Sequence, residues 1–239
     1  EVRPEAVFDC ANLAGGVDHC ERNPDIARAF HLDSTINIGS LCASIGAKMF
    51  FISTDYVFDG TRGPYKEDDA TNPLNLYGRI KLSAEKWISE NLKDGVTVRT
   101  TNVYGWDPDT VTPNYMMSVY RALKEGKTIN APSYLWGNPT YADDLAAAIV
   151  ELYLKKAAGL FHIVGSSFVN RYEWAVAACD EFGLDKGKII EVKDPPSSIV
   201  PRPLRSWLDN GKFKRSCKTG LNDMRSGLRM MKKEMFAHA

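Results

Sequence analysis

Met49-Phe50-Phe51-Ile52 is an uninterrupted apolar run that passes into Ser53-Thr54-Asp55-Tyr56-Val57-Phe58, and its reading decides the fold. Consecutive apolar residues, without the alternation of a half-solvated strand, mark a strand covered on both faces, as in a parallel sheet. Working outward, residues 24–45 carry apolar side chains at helical spacing (Ile26, Ala27, Phe30, Ile36, Ile38, Leu41, Ile45) and stop at Gly46. Before them, Ala6-Val7-Phe8-Asp9-Cys10-Ala11 is a second strand run ending in small residues. After a turn-rich loop over 59–73, residues 74–92 read as a helix stopped by Lys93-Asp94-Gly95. Strands at 96–101 and 159–165 and helices at 114–125, 141–155 and 171–182 continue the pattern, the last ending at Gly183. Strands separated by helical crossovers predict an α/β fold: a doubly wound parallel sheet, Rossmann-like, with a small C-terminal lobe.

The chain has 239 residues, with 30 Lys+Arg balancing 30 Asp+Glu. That zero net charge argues against a nucleic-acid binder, which needs a basic excess. With no long apolar run and no charged-then-apolar leader, no membrane association is expected and the cytoplasm is the expected location. Cysteines at 10, 20, 42, 179 and 217 form no CxxC pair, and His19, His31, His162 and His238 are scattered. Neither a metal site nor a disulfide framework is indicated, and no histidine is singled out as a base. Residues 194–203 hold four prolines and read as an ordered loop. Residues 210–239 carry eight Lys/Arg against two Asp/Glu, with Met224, Leu228, Met231 and Met235 on one helical face. A solvated terminal helix docking on the body is the reading preferred over a basic patch for an anionic partner.

In such sheets ligands bind at the carboxyl ends of the strands. Cys10-Ala11-Asn12, Ser53-Thr54-Asp55 and Thr101-Asn102-Val103-Tyr104-Gly105 occupy those positions and are mostly small or polar. Tyr77-Gly78-Arg79-Ile80-Lys81 then places a phenol and an ammonium on one helix face. A nearby ammonium favours phenolate, so Lys81 is expected to draw the Tyr77 pKa downward and make it a usable acid and base. The spacing alone is weak, since about one such pair arises by chance, and Tyr120 to Lys124 repeats it. Tyr77 follows a strand ending in Thr54, whereas Tyr120 has no such partner upstream and is expected to be structural.

The strings Ile52-Ser53-Thr54-Asp55-Tyr56-Val57-Phe58-Asp59-Gly60, Pro64-Tyr65-Lys66-Glu67 and Pro73-Leu74-Asn75-Leu76-Tyr77-Gly78-Arg79-Ile80-Lys81-Leu82-Ser83-Ala84-Glu85-Lys86 resemble the extended short-chain dehydrogenases/reductases. Within them the chain is most similar to the dTDP-4-dehydrorhamnose reductases and their close relative, the regulatory beta subunit of methionine adenosyltransferase. Weaker echoes run over 138–146 and 202–206, so the resemblance covers roughly residues 4–210. It implies NAD(P)H-dependent reduction of the C4 keto group of a nucleotide-linked deoxysugar, dTDP-4-dehydro-L-rhamnose to dTDP-L-rhamnose. It makes Tyr77 the proton donor, Thr54 the group that polarises the carbonyl, and Lys81 the holder of the nicotinamide ribose. Cys10, Ala11, Ser53, Thr101, Asn102 and Val103, with Tyr77 and Lys81, would line NADP(H) or NAD(H). Asp55, Tyr104 and Arg202 would face the substrate, Arg202 toward its pyrophosphate.

Departures from the pattern are equally informative. Asn102 stands where an aromatic is usual, which leaves the sugar open. Nothing matches a GxxGxxG turn, Gly15-Gly16 included, so the chain is expected to begin at the family's fourth strand, short by on the order of 60 residues. Residues 1–105 are expected to be a partial dinucleotide-binding domain carrying the catalytic residues. Residues 106–239 are expected to be mainly substrate lobe, with 138–165 returning to the body. The alternative is a non-catalytic regulatory subunit that binds the methionine adenosyltransferase catalytic subunit; the enzyme itself is expected to be a homodimer. An epimerase or dehydratase relative is a third, weaker option.

Overall fold

The computed structural model describes residues 2–196 and 200–237. Its body is a four-stranded sheet of β1 (Ala6–Asp9), β2 (Lys48–Thr54), β3 (Val96–Thr100) and, late in the chain, β8 (Gly159–His162), in that spatial order. Every pairing is parallel, with Phe50 opposite Val96 and Thr54 opposite Thr100 in register. The first crossover is α1 (Gly16–Arg22), α2 (Pro24–Arg28), a π-helical turn Ala29–Asp33 and α3 (Ser34–Ile45), closed by Gly46 in the left-handed conformation at φ 70°. The second is α4 (Leu76–Asn91).

The adjacent phenylalanines of β2 explain the unbroken apolar run. Phe51, with Met49, packs under α3 and α4, while Phe50 packs with Val96, Val98 and α6 (Ala142–Leu154) on the opposite face. Both rings are fully buried, each stabilising the body by about 1.5–3 kcal/mol. The sheet is thus covered on both faces, the doubly wound arrangement expected.

Between β3 and β8 the chain forms β4 (Val103–Tyr104), α5 (Tyr115–Lys124), β5 (Ile129–Pro132), β6 (Trp136–Gly137) and β7 (Thr140–Tyr141). After β8 come β9 (Val169–Asn170), α7 (Arg171–Phe182), β10 (Ile189–Val192), β11 (Arg205–Ser206), α8 (Gly211–Ser216) and α9 (Met224–Ala237). The lobe core gathers Met116, Met117, Leu123, Trp174 and Ala178, closed by Met224, Leu228 and Met231 of α9. The basic tail therefore docks through its apolar face. Its first part, α8, instead sends Phe213 into the core of the body. The proline-rich 194–203 segment falls partly, and His238 wholly, outside the described residues.

One boundary differs from expectation. The strand does not continue through Tyr56: Asp55–Val57 is a 3-10 turn, begun by Thr54, whose hydroxyl accepts from the Tyr56 N–H at 3.2 Å. A threonine that caps the following backbone ends a strand even where the sequence stays β-favouring. No helix among the described residues is long and apolar enough to cross a membrane.

Candidate active site

A cleft of about 930 Å³ opens at the carboxyl ends of β1, β2 and β3, within the range of small-molecule and cofactor sites. Two local devices bring the reactive groups together. Asn75 caps α4 by accepting from the Gly78 N–H at 2.9 Å, and Gly78 lets the helix start press against the 55–57 turn. A side chain at Gly78 would collide with the Tyr56 carbonyl oxygen. Close approach there sets Tyr77 beside Thr54, with the Tyr56 and Tyr77 rings edge-on at 5.8 Å.

Tyr77, Lys81 and Glu85 follow at four-residue intervals along α4. Lys81 is 3% exposed, its Nζ 4.1 Å from the Phe51 ring centre. Burial pushes its pKa down to about 8, against the pull of Asp9, Glu85 and Cys10. Among the described residues its ammonium makes neither a hydrogen bond nor a close ion pair. Glu85 is held instead by Arg99 of β3, Nη2 to Oε2 at 2.7 Å, and accepts from the Ser53 hydroxyl. Arg99 in turn meets the fully buried His162.

The expectation that Lys81 lowers the Tyr77 pKa is not met in this cleft. Burial, then the Asp55 charge, push the phenol up, and hydrogen bonding to Thr54 only partly opposes them. The phenol is accordingly held in its protonated, donating form. Asp55 is itself buried and raised, steadied by Ser206, Thr101 and the Thr54 hydroxyl, which donates to it at 3.1 Å.

Thr54, Tyr77, Lys81, Ser53, Asp55, Cys10, Ala11, Thr101, Asn102 and Val103 all line the cleft. Asp9 ties the first wall down, accepting from the Ala11 N–H at 3.2 Å and the Thr35 hydroxyl at 3.1 Å. Tyr104 and Arg202, expected at the substrate, do not line it. Side chains alternate along β4, so Val103 faces out and Tyr104 turns into the lobe core against Trp174. Its hydroxyl lies 3.4 Å from the Met224 carbonyl oxygen. Arg202 is drawn to the Asp18 carboxylate of α1, the Asn75 side chain also donating to the neighbouring Pro201 carbonyl at 2.8 Å.

Four residues that the sequence reading set aside or did not single out also line the cleft. Gly15 and Gly16 line the cleft with positive φ, although their spacing matches no dinucleotide motif. His31, on the π-helical turn, stands edge-on to Tyr77 at 5.3 Å with Nε2 buried and unpaired; burial and Lys81 push it down to about 4. Arg171, at the first residue of α7, also enters the wall. Only its position signalled this, since a cation at a helix N-terminus opposes the macrodipole. Among the described residues no group of His, Cys, Asp and Glu could hold a metal ion.

The family model described as the RmlD substrate binding domain matches residues 1–236. A dTDP-4-dehydrorhamnose reductase of Salmonella typhimurium is 32% identical over 99% of this chain and 81% of its own. The methionine adenosyltransferase 2 subunit beta of Xenopus tropicalis is 28% identical over 90% of this chain. The chain spans 66% of that relative's length, just under two thirds. Among solved structures, a dTDP-4-dehydrorhamnose reductase from Bacillus anthracis in complex with NADP superposes with a TM-score of 0.88 at 26% identity, covering 97% of this chain and 80% of that one. With the parallel sheet and the Thr54–Tyr77–Lys81 cleft, these similarities establish that the chain belongs to the RmlD substrate-binding-domain family, that of the dTDP-4-dehydrorhamnose reductases.

Proposed function

We propose that the chain is the catalytic and substrate-binding part of an NADP(H)-dependent reductase acting on the C4 keto group of a nucleotide-linked deoxysugar. The reductase relatives favour dTDP-4-dehydro-L-rhamnose as substrate and dTDP-L-rhamnose as product. The observation that carries this reading is the convergence of Thr54, Tyr77 and Lys81 in one cleft at the carboxyl end of the sheet. Residues 1–105 supply this chemistry and 106–239 mainly the substrate lobe, with 138–165 returning to the body.

The wall fits a dinucleotide. Lys81 is a buried cation whose donors are unspent, suited to ribose hydroxyls, and Cys10, Ala11 and Gly15-Gly16 leave room for close approach. Thr101, Asn102 and Val103 form the other wall; Ser53 contributes less, its hydroxyl being committed to Glu85. When bound, the reduced nicotinamide supplies hydride to C4. Thr54 turns its single hydroxyl proton from Asp55 to the substrate oxygen and so polarises the carbonyl; Tyr77 gives its proton to that oxygen as negative charge develops there. The protonated phenol is what such a donor requires. Lys81, as ammonium, stabilises the phenolate left behind, and Asp55 steadies Thr54.

NADPH oxidation with dTDP-4-keto-6-deoxy-sugar tests this. Turnover by the wild type that Tyr77→Phe reduces by about 10²–10⁴ supports it; absence of turnover in the wild type overturns it. The 32% identity to the cattle methionine adenosyltransferase 2 subunit beta favours a second reading, a regulatory subunit with the same fold. Co-elution with the methionine adenosyltransferase catalytic subunit, without NADPH turnover, would select that reading. The chain is proposed to work in the cytoplasm, as a homodimer on the first reading.

A further inference from the structure

Three departures from ordinary local preference meet at one spot of the cleft wall. Asn102 holds a left-handed backbone, φ 49°, uncommon outside glycine. Gly137 beside it leaves room for the Asn102 amide, whose Nδ2 a methyl group there would displace. Arg171 places a cation at the first residue of α7, against the helix dipole. The three are joined. Arg171 Nη2 donates to Asn102 Oδ1 at 3.2 Å, and the guanidinium stacks on the Tyr115 ring at 4.5 Å. Tyr115 is itself fixed by donating to the Arg171 carbonyl at 2.9 Å.

Local violations that reinforce one another are characteristic of functional positions. This one delivers a guanidinium held in place by an amide and a ring, neither of which neutralises it. Arg28, Arg62, Arg79, Arg99 and Arg202 all have carboxylate partners. Arg171, like Arg121 and Arg205, has none among the described residues, and unlike them it lines the cleft. Among the described residues Asp55 is the only carboxylate in that wall, and it is buried under three hydroxyl contacts. Lys81 and Arg171 thus give the cleft a positive character at two separate places.

We propose that Arg171, positioned by Asn102 and Tyr115, forms a subsite for an anionic group of the ligand, a phosphate or a carboxylate. The inference rests on the nucleotide-sugar reading for its biological meaning, but not for its chemistry. Arginine suits planar and tetrahedral oxyanions because its N–H groups can donate in parallel. The Asn102 contact occupies one donor of Nη2 and leaves the others for the ligand. Arg171 is a binding and positioning residue and takes no part in the proton transfer.

Calorimetric titration of the full chain with dTDP, thymidine and D-glucuronate tests the proposal. Wild-type protein should bind dTDP more tightly than thymidine, and Arg171→Gln should weaken dTDP by about 10- to 100-fold while leaving thymidine and NADPH unchanged. Arg171→Lys should recover part of the loss, which separates charge recognition from damage to the fold. If glucuronate, rather than dTDP, depends on Arg171, the anion is a sugar carboxylate and the subsite stands. Equal dTDP affinity in wild type and Arg171→Gln, without glucuronate binding, overturns the subsite, as does wild-type protein that binds neither anion. Arg171-dependent dTDP binding without NADPH turnover would instead remove the reductase reading and leave the subsite intact.

Discussion

Tyr77 with Lys81 and Tyr120 with Lys124 share one spacing on two helices, yet the second pair makes the direct bond: Lys124 Nζ donates to Tyr120 Oη at 3.1 Å. The Tyr120 ring packs against Trp106 and Phe182 at 5.2 and 5.3 Å, and Lys124 lies in solvent. In the first pair the lysine is buried under Phe51 and no such bond links it to the phenol. A hydrogen-bonded pair with a buried phenol and its ammonium in solvent is satisfied as it stands. A buried ammonium with unspent donors, beside a phenol that meets Thr54, is incomplete without a ligand. The difference teaches that reactivity here comes from desolvation and from the strand end opposite, and not from the four-residue spacing.

The largest expected effect breaks the comparison outright. Tyr77→Phe should abolish most turnover, as above, whereas Tyr120→Phe should leave kcat/KM within about twofold; equal losses would show that the cleft does not distinguish the two phenols. Next comes the support of the first pair. Arg99→Met leaves Glu85 buried without its partner and should cost about 3–5 kcal/mol of stability, read from urea unfolding. Removal of exposed Lys124 as Lys124→Met should stay within about 0.5 kcal/mol.

A pH titration sharpens the contrast further. Lys81 is cationic below about 8 and neutral above it, so kcat/KM should fall up to tenfold per pH unit above that value if the ammonium is required. Stability should move the other way. The unfolded lysine keeps its proton to a higher pH than the folded one, so its contribution rises between about 8 and the ordinary lysine value of 10.5 and is least favourable below 8. A flat rate profile to pH 10 would remove Lys81 from the chemistry. A second titration probes the acid end. His31 and His162 are held neutral, down to about 4 and about 3 respectively, chiefly by burial. Protons taken up by the unfolded chain should make stability fall below the ordinary histidine value of 6.5, with a slope near 1.4 kcal/mol per pH unit for each histidine. Replacing His162 with Gln should roughly halve that slope.

Much of the architecture was legible because periodicity is a local property. The 96–100 strand, the α4 helix and the glycine stops at 46 and 183 follow directly from residue order. The strand end at Thr54 was misjudged, because a hydroxyl that caps its own following backbone competes with β-propensity over only two residues. Tyr104 was assigned to the wrong side: strand parity fixes that Val103 and Tyr104 face apart, but which one meets the ligand depends on how β4 pairs with β7. Arg202 was expected at the ligand through the family resemblance, and Asp18, far away in sequence, pairs with it here.

Residue order alone determined that the sheet is parallel and buried on both faces, and that Tyr77 and Lys81 share a helix face. These follow from the apolar run over 49–52 and from helical geometry. Only the tertiary structure decided which Tyr–Lys pair is desolvated, that the Tyr77 pKa rises instead of falling, and that His31 and Arg171 enter the cleft while Tyr104 and Arg202 do not. Burial and ion pairing depend on residues brought together from distant parts of the chain, and their energies outweigh the few tenths of a kcal/mol that a helical spacing contributes.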